Sequence, residues 1–180
     1  MLMTAPASDF PEFLIITYLE MTDATLFMPA FIQRDGVEIR QLTTPDVPLY
    51  RRLYDGVGEA LFWRDRRLMS DADLLAAITR PEVSIYVLSV DGVVSGYFEL
   101  ERQGDDTEIA YFGLFPGSMG AGLGKHLLST AIDQAWKDGA KRVYVHTCNL
   151  DSPAALPNYI KRGFEVYDVQ RQLMPDRYKT

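Results

Sequence analysis

The stretch Pro116-Gly-Ser-Met-Gly-Ala-Gly-Leu-Gly-Lys125 places glycine at 117, 120, 122 and 124. Neither a helix nor a strand runs through such a segment. Each glycine costs about 1 kcal/mol relative to alanine in a helix interior, and it weakens a strand. The segment is therefore a turn. Residues 108–115 before it are apolar and aromatic, as in a strand. Leu123, Leu127, Leu128, Ala131, Ile132 and Ala135 after it follow helical spacing. A glycine-rich strand-to-helix turn lets backbone approach an anion, and the N–H groups of the helix N-terminus can then hold phosphate oxygens. Two familiar phosphate loops do not fit. A Walker A loop needs glycine at Met119 and a hydroxyl at His126. A dinucleotide G-x-G-x-x-G needs a third glycine where Lys125 stands.

The rest of the chain must supply a sheet for this turn. Residues 13–21 are β-branched and aromatic and read as a strand, and residues 37–42 alternate as a second. Thr43-Thr44-Pro45-Asp46 resembles a helix start, and Ser70-Asp71-Ala72-Asp73 resembles a capping box. A meander follows, with strands at 83–90, 93–100 and 108–115 and an Asp91-Gly92 hairpin turn. After the glycine-rich turn come a helix, a strand at 142–147, a short helix at 153–162 closed by Gly163, and a strand at 164–173. The order ββααβββαβαβ predicts an α/β (α+β) fold, a mixed sheet with helices on both faces. The 180 residues suit one domain at 37–180, preceded by an arm and extra strand at 1–36, of which 1–12 read as a loose arm. The extra strand could cover a sheet edge or exchange with a second subunit, giving a homodimer.

Charge and rare residues narrow the function. The net charge is −7, which argues against a nucleic-acid footprint. Cys148 is the single cysteine and His126 and His146 are the only histidines, so neither an internal disulfide nor a structural metal is expected. The N-terminus has no basic leader, and residues 13–19 are far short of the ~20 needed to span a bilayer. A cytoplasmic protein without a membrane partner is expected.

Two signatures carry a family resemblance. Met119-Gly120-Ala121-Gly122-Leu123-Gly124 resembles the pyrophosphate loop of the GNAT superfamily of N-acetyltransferases, Gln/Arg-x-x-Gly-x-Gly/Ala, with Met119 in place of Gln/Arg. Ser152-Pro-Ala-Ala155-Leu-Pro-Asn-Tyr159-Ile-Lys-Arg-Gly163-Phe164 resembles its Asn-x-x-Ala-x-x-x-Tyr-x-x-x-Gly-Phe, with Ser152 replacing Asn. The resemblance covers about residues 37–173 and implies the GNAT-like fold, a mostly antiparallel central sheet, and acetyl-CoA as co-substrate. It implies a pantetheine arm along Leu114 and Phe115. Phosphates would lie over Met119, Gly120, Ala121, Gly122, Leu123, Gly124 and Lys125, with Ser152 nearby. It implies Tyr159 as the acid facing the sulfur, Glu108 as the base, and the Leu114 N–H as oxyanion donor.

Acetyl transfer to an amine needs a base, an oxyanion donor and a proton for the departing thiolate. By period two, Glu108 would share a face with Phe112 and Leu114. Glu99 and Glu101 are rival carboxylates, acting through water, and Cys148 could in principle take the acetyl group in a two-step route. Trp63 could wall the acceptor pocket and attract a cationic amine. Arg64, Arg66 and Arg67 could instead recognise a carboxylate on the acceptor. The expected acceptor is a small-molecule or peptide amine. The alternative, prompted by Met119 and Ala121, is a non-catalytic acyl-CoA-binding or regulatory module of the same fold.

Overall fold

Turn and capping chemistry sets most of the breaks between elements. In the computed structural model, which describes residues 11–178, β1 (Phe13–Met21) and β2 (Val37–Gln41) precede α1 (Val47–Gly58) and α2 (Asp71–Ile78). Most of the arm expected at 1–12 lies outside the described residues. The α1 cap is Asp46, whose side chain accepts from the Leu49 N–H, and the early proline is Pro48 rather than Pro45. Ser70 caps α2 by accepting from the Asp73 N–H, as its spacing predicts. β3 (Val83–Val90) and β4 (Val93–Gln103) are joined by Asp91-Gly92, both at positive φ, the geometry of a two-residue hairpin. β5 (Asp106–Leu114), α3 (Leu123–Lys137), β6 (Arg142–Cys148), α4 (Ala155–Lys161) and β7 (Glu165–Leu173) complete the chain.

The seven strands form one sheet in the order β2-β3-β4-β5-β6-β1-β7. Every neighbouring pair is antiparallel except β5–β6. β1 does not cover an edge. It lies inside the sheet between β6 and β7, with Tyr18 opposite His146 on one side and Asp168 on the other. The boundary drawn at residue 36 thus falls between strands of a single sheet. α3 and α4 cover one face, where Phe98, Leu100, Ile109, Val143, Val145, Tyr159 and Phe164 are buried. α1 and α2 cover the other, over Tyr50, Leu53, Leu74, Ile85 and Tyr97.

One irregularity changes which residues share a face. In the β4–β5 ladder, Leu100 opposes Ile109 but Glu99 opposes Tyr111, so Ala110 is an extra, unpaired residue. Such a bulge reverses the alternation beyond it. Ile109, Phe112 and Leu114 consequently belong to the α3/α4 face, while Glu108 lies with Tyr111 toward α1. The period-two expectation for Glu108 is corrected on this point, because strict alternation holds only without a bulge.

The link between β1 and β2 is fastened to the α3/α4 layer. The Met28 N–H donates to Arg162 O at 3.1 Å and the Ala30 N–H to Ser129 Oγ at 2.9 Å. Gly163 sits beneath this link at φ +101°, and a Cβ there would meet Leu26 O at 2.0 Å. Gly163→Ala should therefore cost about 2–3 kcal/mol in chemical denaturation, from a strained φ and displaced backbone. A loss under about 0.5 kcal/mol would contradict this packing.

Candidate active site

β5 and β6 pair at only three positions, Asp106–Arg142, Thr107–Val143 and Glu108–Tyr144. Beyond these the strands part, and a cavity of about 510 Å3 opens in the wedge between them. The backbone of β5 has free groups here. Phe115 N–H donates to Ser95 O at 2.9 Å. Antiparallel partners alternate in their bonding, so the adjacent Leu114–Gly96 pair leaves the Leu114 N–H pointing away from β4 and into the wedge.

The glycine-rich turn closes one end of the cavity. Gly120 and Gly122 hold φ +86° and +76°, and Gly122 starts α3 with no side-chain cap. The first-turn N–H groups of α3 therefore have no intrahelical acceptor, and the helix dipole adds positive potential there. A Cβ added at Gly117 or Gly120 would touch nothing within 4 Å, and one at Gly124 only Leu114 Cδ1 at 3.6 Å. The space over the turn is open, and Lys125 borders it. Asn158 Nδ2 donates to Gly124 O at 3.3 Å and ties α4 to the turn. This suits a pyrophosphate: backbone donors, a helix N-terminus and one cation.

Of the residues expected to hold the co-substrate, Leu114, Met119, Gly120, Gly122, Gly124, Lys125, Ser152 and Tyr159 line the cavity. Phe115, Ala121 and Leu123 do not. Phe115 packs over Gly56 of α1, where a Cβ would lie 2.4 Å from its ring, and Leu123 is buried in the α3 layer. Tyr159 packs against Phe112 and Phe164, with ring centroids 6.1 and 6.0 Å away. Burial raises its pKa well above the ordinary value, so its hydroxyl stays protonated.

The expected carboxylates are placed differently. Glu99 is fully buried and does not reach the cavity. It accepts from Tyr50 Oη at 2.6 Å and from Arg66 Nη2 at 2.7 Å. Glu101 pairs with Arg80 at 2.7 Å. Glu108 also stands behind the cavity wall, and the group in front of it is His146, whose Nδ1 lies 3.2 Å from Glu108 Oε1. No sequence pattern assigns His146 a partner. The register could have supplied one, because Glu108 pairs with Tyr144 and His146 is two residues further on the same face. The hydrogen bond to Glu108 raises the His146 pKa, against an opposing effect of burial.

Trp63 lines the cavity beside Tyr54 and Tyr111. Its Nε1 donates to Asp151 Oδ1 at 3.3 Å, while Asp151 Oδ2 accepts from Thr147 Oγ1 at 2.7 Å and the Cys148 N–H at 2.9 Å. Arg66 and Arg67 are engaged with Glu99 and Asp55, leaving Arg64 as the cavity-lining member of that cluster. Cys148 lines the cavity too, but burial pushes its thiol up to about 11, so it is protonated near neutral pH and a poor nucleophile. β1 contributes Leu14, Ile16 and Tyr18 to the wall, which reading residues 1–36 as an elaboration did not foresee.

Comparison with known proteins agrees with this geometry. Residues 48–164 match the acetyltransferase (GNAT) family. The chain belongs to that family, whose co-substrate is acetyl-CoA. A GCN5-related N-acetyltransferase from Sphaerobacter thermophilus is 19% identical with TM-score 0.63, covering 91% of this chain and 52% of that one. One from Kribbella flavida is 19% identical with TM-score 0.61, covering 86% and 55%. An aminoglycoside acetyltransferase from an uncultured soil metagenomic sample is 16% identical with TM-score 0.59, covering 71% and 88%. The chain thus spans little more than half of the first two. No curated protein matches the sequence. Among the described residues, no helix is long and apolar enough to cross a membrane.

Proposed function

We propose that this chain transfers the acetyl group of acetyl-CoA to a primary amine by direct attack within a ternary complex. The observation that carries the reading is the β5–β6 wedge. It offers phosphate-binding backbone at one end and an aromatic wall beside His146 at the other. The amine nitrogen forms a bond to the acetyl carbonyl carbon as the carbon–sulfur bond breaks. The Leu114 N–H donates to the developing oxyanion, Tyr159 gives its proton to the departing thiolate, and the proton lost by the amine goes to a base. Glu108 was the expected base. Its position behind His146 supports a shared role instead, in which the imidazole accepts the proton and Glu108 positions it. The acceptor is a small-molecule amine, the class represented by the aminoglycoside acetyltransferase among the structural neighbours.

Thiol release on an amine panel, beside calorimetry with acetyl-CoA, tests this reading. Intersecting initial-rate lines are expected, whereas parallel lines would indicate an acetyl-enzyme. Tight acetyl-CoA binding with no turnover on any amine would favour the binding module. Tyr159→Phe should lower kcat about 10²-fold, the low end of general-acid effects, with acetyl-CoA affinity little changed. Retention of full kcat would remove Tyr159 from the chemistry.

A further inference from the structure

Resting on that reading of the site, we propose that the acceptor is a monoamine carried on an aromatic or bulky apolar body. The geometry disfavours both a polycationic amine and an amino acid.

The acceptor end of the cavity is an apolar surface held rigidly. Tyr54, Trp63 and Tyr111 stand in mutual contact, with centroids 5.3, 5.3 and 5.4 Å apart. Their orientation is fixed on several sides. Asp151 holds the Trp63 indole. Tyr54 Oη accepts from the Arg66 N–H at 3.2 Å. The Arg66 guanidinium lies 5.4 Å from the Tyr111 ring centroid. Gly58 is required by this packing, because a Cβ there would lie 2.5 Å from the Trp63 ring. Val57 and Leu61 pack in the same cluster and extend this surface, and Leu14 and Ile16 of β1 add further apolar lining. A flat apolar body laid against it sheds water from the covered face, and rigid rings pay little entropy on binding.

The charged groups at this end are already balanced. Asp65 faces Arg177 at 3.5 Å. Asp151 has its oxygens engaged by Thr147, Cys148 and Trp63. Arg64 adds a positive charge, and His146 is backed by Glu108. A polyamine would need a carboxylate for each buried ammonium, and neither cavity-lining carboxylate is uncommitted. A carboxylate on the acceptor would have to draw Arg177 from Asp65, or Arg64 from the Trp63 carbonyl and the Phe62 ring. A single ammonium needs less, since the faces of Trp63 and Tyr111 attract it before His146 takes its proton.

The test uses the purified chain with acetyl-CoA and compares kcat/KM by thiol release. The amines are 2-phenylethylamine, benzylamine, spermidine, an aminoglycoside and glutamate. The aryl amines should exceed the other three by about 100-fold, the order a mismatched polar group costs a substrate in an apolar site. Trp63→Ala should raise the aryl-amine KM about tenfold while leaving acetyl-CoA affinity unchanged by calorimetry. Preference for spermidine, the aminoglycoside or glutamate would overturn the substrate class and leave acetyl transfer standing. Acetyl-CoA binding without thiol release on any amine would overturn the transfer reading, and this inference with it.

Discussion

Glu99→Ala is expected to lower stability by about 3–5 kcal/mol, the cost of removing one partner from a buried ion pair. Glu99 has no solvent exposure, and Arg66 is only 6% exposed. The carboxylate is the acceptor for both Tyr50 Oη and Arg66 Nη2. Without it, the guanidinium is left between the rings of Tyr50 and Tyr111, 5.9 and 5.4 Å from its centre. Its Nε already has no hydrogen-bond partner, so nothing compensates. Burial opposes the charge on Arg66, but Glu99, Tyr50 and Tyr111 together outweigh it and raise the pKa. Arginine keeps its proton even without that carboxylate, so the variant buries an unpaired cation unless water enters to solvate it. A Glu99→Leu/Arg66→Met double variant should recover much of the loss, because apolar groups of similar volume are often as stable as a buried pair. Urea denaturation of the single and double variants measures both effects. A single-variant loss below about 1 kcal/mol would mean that Arg66 finds another partner, and the packing described here would be wrong. Arg66 lies three residues after Trp63, so the pair also braces the acceptor wall. Glu99 thus belongs to the frame of the site rather than to its reacting groups.

The sequence foretold what depends on local chemistry. Asp91-Gly92 had to be a tight hairpin, Ser70 had to cap α2, and the glycines at 120 and 122 had to form a turn between strand and helix. The GNAT signatures around Met119 and Tyr159 named the family because they lie on such local elements. What escaped depends on strand pairing. The strand at 13–21 was visible, but no periodicity says that it lies between β6 and β7 and turns Leu14, Ile16 and Tyr18 toward the cavity. The bulge at Ala110 is equally hidden, since it exists only relative to β4. Missing it put Glu108 on the wrong face. Glu99 stood as a rival base because strand alternation shows a face, not the helix that covers it. Phe115 was expected along the pantetheine arm, yet its fate is set by Gly56 on α1.

His146→Gln is expected to lower kcat about 10³-fold, within the range for loss of a general base, with little change in acetyl-CoA affinity. The pH profile separates this from a structural role. His146 meets Glu108 from β5, Tyr18 from β1, Asp151 from the loop after β6 and Asp65 from the α1–α2 connection, with Tyr144 beside it on its own strand. The bond to Glu108 lifts its pKa above the ordinary 6.5. A base must be neutral to act, so the acid limb of kcat/KM should lie above pH 6.5. Glu108→Gln removes the anion that favours imidazolium. The limb should then move down toward pH 6.5, even as the rate falls through loss of the oriented tautomer. The effect on stability has the opposite sense. A raised folded pKa means that protonated His146 stabilises the fold below pH 6.5, and that this contribution fades as pH rises through the folded value. It should be small, because the side chain is 51% exposed. If His146→Gln keeps its rate within about threefold while Glu108→Gln loses it, Glu108 is itself the base, working through water. If both variants lose rate and Glu108→Gln shifts the limb downward, the imidazole takes the proton and Glu108 positions it.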